Sequence, residues 1–238
     1  MTFTPSFYRS LAVCSIVSAI TTLGLIYLPE FYQPIEGFEG RMRRVDDPAY
    51  VLRSWVYLVH PFLTFAAALG VALRIRTVRS AAAVIGIAGF ALWASNEAAQ
   101  QTLTLFAFDK WRAAYFAADE ATRAIIRTNT ALYDGLWDAM YFLLLIGFSI
   151  GNTSLGVGLL RAGKGVTRVV GCFFLGAVAI TLPIITGELQ WWTMPEPLAS
   201  WSYPAVQPLG RTLIGLWLWS AAREDESLPT RFRLSPAR

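Results

Sequence analysis

The stretch "ALWASNEAAQQTLTLF", residues 91–106, decides how this chain is read. It closes an apolar run that begins at Ala81, yet it carries Asn96, Glu97, Gln100 and Gln101 in close succession. The preceding residues are apolar on every face, as in a segment that crosses a bilayer. There, polar groups are costly unless they meet other protein groups or a hydrated cavity. The polar end of this run therefore predicts one wall of such a cavity.

The remainder of the chain agrees with a membrane reading. Of 238 residues, 55% are hydrophobic and 15% are charged, against about 25% charged in a typical soluble domain. Mean hydropathy is +0.47. The net charge of +4 comes from short basic clusters between apolar runs, so it points to membrane loops and not to nucleic acid. Cys14 and Cys172 each sit just inside an apolar run and read as small packing residues, not as a disulfide. The first run follows Arg9 without a small-residue cleavage site and reads as an uncleaved span.

A span needs about 20 mostly apolar residues. Six segments meet that requirement: 11–28, 51–72, 81–108, 132–159, 169–187 and 205–222. The expected fold is all-α, a single membrane domain over 1–238 built as a bundle of six transmembrane helices. Arg74, Arg76 and Arg79 follow the second span, and Arg161, Lys164 and Arg168 follow the fourth, with no acid in either loop. The tail adds Arg223, Arg231, Arg233 and Arg238. The alternate loops mix acids with their arginines or, in the fifth, hold no Lys or Arg. The positive-inside rule then places both termini in the cytoplasm, with a bacterial inner membrane as the expected location.

Two outer segments read as more than linkers. Residues 110–130 combine Trp111, Tyr115, Phe116, Ile125 and Ile126 with charges, which predicts a helix lying in the interface. Residues 188–204 gather Trp191, Trp192, Trp201 and Tyr203 around prolines and read as an aromatic anchor or lid at headgroup level.

At about 1.5 Å per residue, the ionisable side chains of the spans fall toward the outer side. Asn96, Glu97, Gln100 and Gln101 end the third span, Asp134 and Asp138 begin the fourth, Glu188 closes the fifth and Arg211 lies early in the sixth. Arg53 begins the second span and His60 lies near its middle, just before Pro61. Asn96 with Gln100, Glu97 with Gln101, and Asp134 with Asp138 are all i,i+4 pairs on one helix face. Arg53 and Arg211 are the available cations, and an ion pair between Arg211 and one of the acids is expected. His60, Asn96, Glu97, Gln100, Gln101, Asp134, Asp138, Glu188 and Arg211 are thus the candidate ligand-binding residues. Residues reaching the interface, Glu188, Arg53 and Asp134, have an alternative reading as side chains that snorkel to water.

A lone histidine falls short of a three-histidine zinc site or bis-imidazole haem ligation. His60 reads first as a hydrogen-bonded structural or proton-relay residue, and no metal or cofactor is assigned. Gly147 and Gly151, continued by Ser154 and Gly158, form a small-residue stripe that predicts close helix packing, inside the chain or to a membrane partner. "RAGKG", residues 161–165, lacks the spacing of a phosphate loop, and no nucleophile-elbow, HExxH or CxxC pattern occurs. Three functions remain open. They are an outward-facing cavity for a small or lipid-like ligand, in a carrier, receptor or sensor; a membrane-embedded enzyme using the same carboxylates; and a non-catalytic subunit of a larger membrane complex.

Overall fold

The computed structural model describes residues 3–192 and 195–227. The side chain of Trp201 and the tail residues Arg231, Arg233 and Arg238 lie outside the described residues. Eight α-helices follow one another: α1 Pro5–Tyr27, α2 Gly37–Arg43, α3 Pro48–Ile75, α4 Ser80–Leu103, α5 Asp109–Tyr115, α6 Glu120–Ala162, α7 Val166–Glu188 and α8 Glu196–Ser227. No strand occurs among the described residues. Local sequence sets several helix starts. Thr4 caps α1 by accepting from Phe7 N, Asp47 caps α3 by accepting from Ala49 and Tyr50 N, and Asp119 caps α6 by accepting from Thr122 N. In the first two, proline follows directly, where its missing N–H costs nothing.

The long helices close into a ring in chain order: α1 packs on α3, α3 on α4, α4 on α6, α6 on α7, α7 on α8, and α8 returns to α1. Five of them are long and apolar enough to cross a membrane. α8 completes the ring but carries Gln207, Pro208 and Arg211 near its middle, so it is less apolar than its neighbours. Large apolar side chains such as Ile20, Leu52, Phe62, Val84, Leu143 and Leu216 point outward and exposed. Such a surface suits lipid, where exposure of apolar groups carries no penalty.

The seam between α4 and α6 is the tightest. A Cβ placed on Gly89 would stand 2.4 Å from Gly151 N and 2.8 Å from Gly147 O, and one on Gly147 would stand 2.8 Å from Trp93 N. The two backbones touch because glycines face glycines. Farther along, Gly158 meets Ile75 and Ala82, and Gly156 meets Leu175 of α7. The 147–158 stripe therefore packs against helices of the same chain.

The segment 110–130 is not one helix but is divided between α5 and the start of α6. α4 continues through a π-helical turn, Thr104–Phe108, into α5. The chain reverses over 116–119, and α6 then runs unbroken for 43 residues. At 1.5 Å per residue α6 is about 64 Å long, roughly twice a hydrocarbon core of about 30 Å. The excess forms a helical hairpin in which the aromatic residues of 108–133 pack on one another. Met42, Phe108, Tyr115 and Ile126 are buried together, with Phe38, Trp111, Phe116 and Tyr133 packed around them. α2 and the 3-10 turn Arg44–Asp46 complete this small head at the end of the bundle reached by residues 28–47.

Candidate functional site

At that same end, the ring encloses a cavity of about 350 Å³. His60, Glu97 and Arg211 line it from three different helices, joined by Arg53, Tyr57, Tyr141 and Tyr203. The opposite wall is apolar, with Leu25, Leu144, Phe148 and Ile184. Glu97 is 4% exposed and Arg211 7% exposed. The expected ion pair between Arg211 and an acid is not formed among the described residues. Arg211 Nη1 instead donates to Thr64 Oγ1, while Nε has no partner. The charges of Glu97 and Arg211 still act on each other across the cavity.

The hydrogen bonds around His60 have one consistent direction. Thr21 Oγ1 donates to Ser18 O at 3.0 Å, so it accepts from His60 Nδ1 at 2.7 Å. Arg211 donates to Thr64 Oγ1, leaving the Thr64 hydroxyl proton for His60 Nε2 at 3.4 Å. Donors thus run from Arg211 through Thr64, His60 and Thr21 to the Ser18 carbonyl. This order fixes a neutral imidazole with its proton on Nδ1 and laces α8, α3 and α1 together. Ser15 Oγ, donating to Arg211 O at 2.7 Å, adds a second link between α1 and α8.

Asp134 and Asp138 do not reach this cavity. They line a separate recess of about 490 Å³ with Arg41, Tyr50, Phe108, Arg112, Tyr133 and Trp137. Asp134 forms a two-point ion pair with Arg41, and this bond holds the Arg41 guanidinium above its ordinary value. Arg112 bonds Asp109 at 2.9 Å and the Tyr50 hydroxyl. Depth separates the sites: Asp134 lies two helical turns before Tyr141 on α6, about 10 Å along the axis. Trp137 lines the outer recess, Tyr141 lines the inner cavity, and the two rings stack with centroids 5.6 Å apart.

Gln100 is fully buried between these sites and donates from Nε2 to Trp137 O at 2.9 Å, while its Oε1 has no partner. Gln101 is also buried. Asn96 turns back to its own helix, donating to Leu92 O. Glu188 is exposed at the end of α7. The nine candidate residues therefore divide, with three on the inner cavity, two on the outer recess and four elsewhere.

Tyr57 escaped the sequence reading as a lining residue although a signal existed. Arg53, Tyr57, His60 and Thr64 follow one another at helical spacing along one face of α3. The stripe was visible once His60 was taken as its centre. Arg41 carried no such signal, because only the fold of the 28–47 segment brings it to α6.

Outside the spans, Asp47 anchors the first loop. Burial raises its carboxyl, but bonds from the backbone N–H groups of Gln33, Tyr50 and Ala49, with Arg44 nearby, outweigh it and hold the group below the usual carboxylate range. The Gln33 bond is 2.6 Å. Among the described residues, no three His, Cys, Asp or Glu side chains stand together as a metal ion requires. Both cysteines are free. No family model matches the chain, and neither a curated protein nor a solved structure matches it.

Proposed function

We propose that this is a six-span protein of a bacterial inner membrane, with both termini cytoplasmic. In this reading the ring cavity opens outward and binds a small or lipid-like ligand, as in a carrier, receptor or sensor. One observation carries it: Glu97 and Arg211, both almost wholly buried, face one cavity without an ion pair between them. Charged groups at bilayer depth normally pair or coordinate something. Two that stay apart around about 350 Å³ of space leave a position between them for a third group. α8 counts as the sixth span because it closes the ring between α7 and α1, and Arg211 at its middle faces this cavity and not lipid.

The test is native mass spectrometry of the protein extracted in mild detergent and incubated with polar and lipid extracts of the expressing cells. The wild type should carry a bound small molecule, and Arg211→Gln should lose it. A wild type that stays empty with both extracts would refute ligand binding.

A further inference from the structure

The charge on the cavity wall points to the class of ligand. Resting on the ligand-binding reading above, we propose that the cavity takes a monoanion: one carboxylate or an equivalent single negative charge on an apolar body. Two guanidinium groups, Arg53 and Arg211, face the cavity against one carboxylate, Glu97. His60 adds no charge, because the donor chain from Arg211 through Thr64 leaves its Nε2 as an acceptor. The wall therefore carries at least one positive charge in excess.

The two arginines are not equally engaged. Arg53 Nε donates to Leu25 O at 3.0 Å, and its guanidinium lies over the Tyr57 ring at 5.4 Å. Arg211, with 7% exposure, spends one nitrogen on Thr64 and leaves Nε without a partner. A buried guanidinium with unspent donors matches the geometry of a carboxylate, which accepts two parallel N–H bonds. Glu97 makes no hydrogen bond among the described residues, so it is placed to accept from a donor on the ligand and to disfavour a second negative charge. Leu144, Phe148 and Ile184 receive the apolar body. Either a compact aromatic acid or a short acyl acid presents this chemistry.

Four probes separate the possibilities, read by calorimetry and thermal shift on the detergent-solubilised full chain. Benzoate, benzyl alcohol and benzylammonium share one ring and differ in charge; decanoate carries the same charge on an acyl chain. Benzoate or decanoate should bind, and whichever binds tighter tells the compact from the acyl source. Benzyl alcohol and benzylammonium should bind at least tenfold more weakly. Arg211→Gln should weaken the anion at least tenfold, while Glu97→Gln should tighten it. If Arg211→Gln does not fold, Arg53→Gln carries the same expectation of weaker anion binding. Binding of benzylammonium that is lost in Glu97→Gln would overturn the anion assignment and leave the cavity as a cation site. Failure of all four probes, with the native mass spectrum also empty, would overturn both readings together.

Discussion

Replacing Gly89 by alanine should be among the most damaging single-methyl changes in this protein. The added Cβ would lie 2.4 Å from Gly151 N, 2.8 Å from Gly147 O and 2.8 Å from Gly151 Cα. All three are backbone atoms, so no side chain can rotate aside. Non-bonded carbon contacts are optimal at about 3.5–4.0 Å, so α4 and α6 must separate by roughly 1 Å. That movement also loosens Gly147 against Trp93 and Gly151 against Phe90. Overpacking in a rigid core costs about 1–3 kcal/mol. Helix association in lipid lacks a hydrophobic drive and rests on such close packing, so the upper end of about 3 kcal/mol is expected.

The controls come from the same chain. Gly135 and Gly176 meet nothing within 4 Å, so alanine there should be neutral or stabilise by up to about 1 kcal/mol through helix propensity. Gly151→Ala should fall between, since its nearest neighbour is the Phe90 ring at 2.7 Å, which can shift. Unfolding in mixed micelles of increasing dodecyl sulfate fraction ranks the variants. If Gly89→Ala unfolds with Gly135→Ala, the α4–α6 contact is not the constraint described here, and the seam must relax without loss.

Thr64→Val leaves Arg211 Nη1 and His60 Nε2 without their shared partner, at a cost of about 1–3 kcal/mol for an unsatisfied buried group; the same micelle titration reads it. Glu97→Gln and Arg211→Gln should each destabilise and their double mutant should recover part of the loss, whereas strict additivity in a double-mutant cycle would show that the two charges do not share a site. Asp47 is held below its unfolded value, near 3.9, so its stabilisation is present above that pH and is lost as pH falls toward the lower folded value. Amide protection over 28–50, corrected for the intrinsic pH dependence of exchange, should therefore fall in the wild type below about pH 4, and the step should vanish in Asp47→Ala. In a background without Cys14 and Cys172, Ala117→Cys should be labelled from outside intact cells and Lys164→Cys spared; the reverse pattern would invert every depth assigned above.

The apolar runs made the membrane helices legible, because hydropathy over about 20 residues is a strong signal. The inner cavity was partly legible for the same reason: Glu97, His60 and Arg211 stand out only against apolar neighbours. The head was not. Residues 110–130 have the composition of an interfacial helix, and nothing local says that Tyr115 and Phe108 will bury against Met42, 73 and 66 residues earlier. The same limit hid the split between the two recesses. Asp134 and Asp138 looked like part of one polar cluster until Arg41, delivered by α2, claimed Asp134.

The head also bears on how the chain orients. Counted in sequence, the first and third loops hold Arg41, Arg43, Arg44, Arg112, Arg123 and Arg127, which weakens the contrast with the opposite end. In the fold each of these has a local counterpart. Arg41 meets Asp134, Arg44 lies 3.6 Å from Asp47, Arg112 meets Asp109 and Arg127 meets Glu120. Arg43 lies over the Phe116 ring at 4.3 Å, and Arg123 donates to the carbonyls of Tyr115 and Phe116. At the other end Arg79 donates to Arg161 O and Arg168 to Gly163 O, and the sequence offers no acid in either loop. Four arginines at one end thus stand beside a carboxylate. The local pairing of the head arginines is compatible with the orientation proposed above.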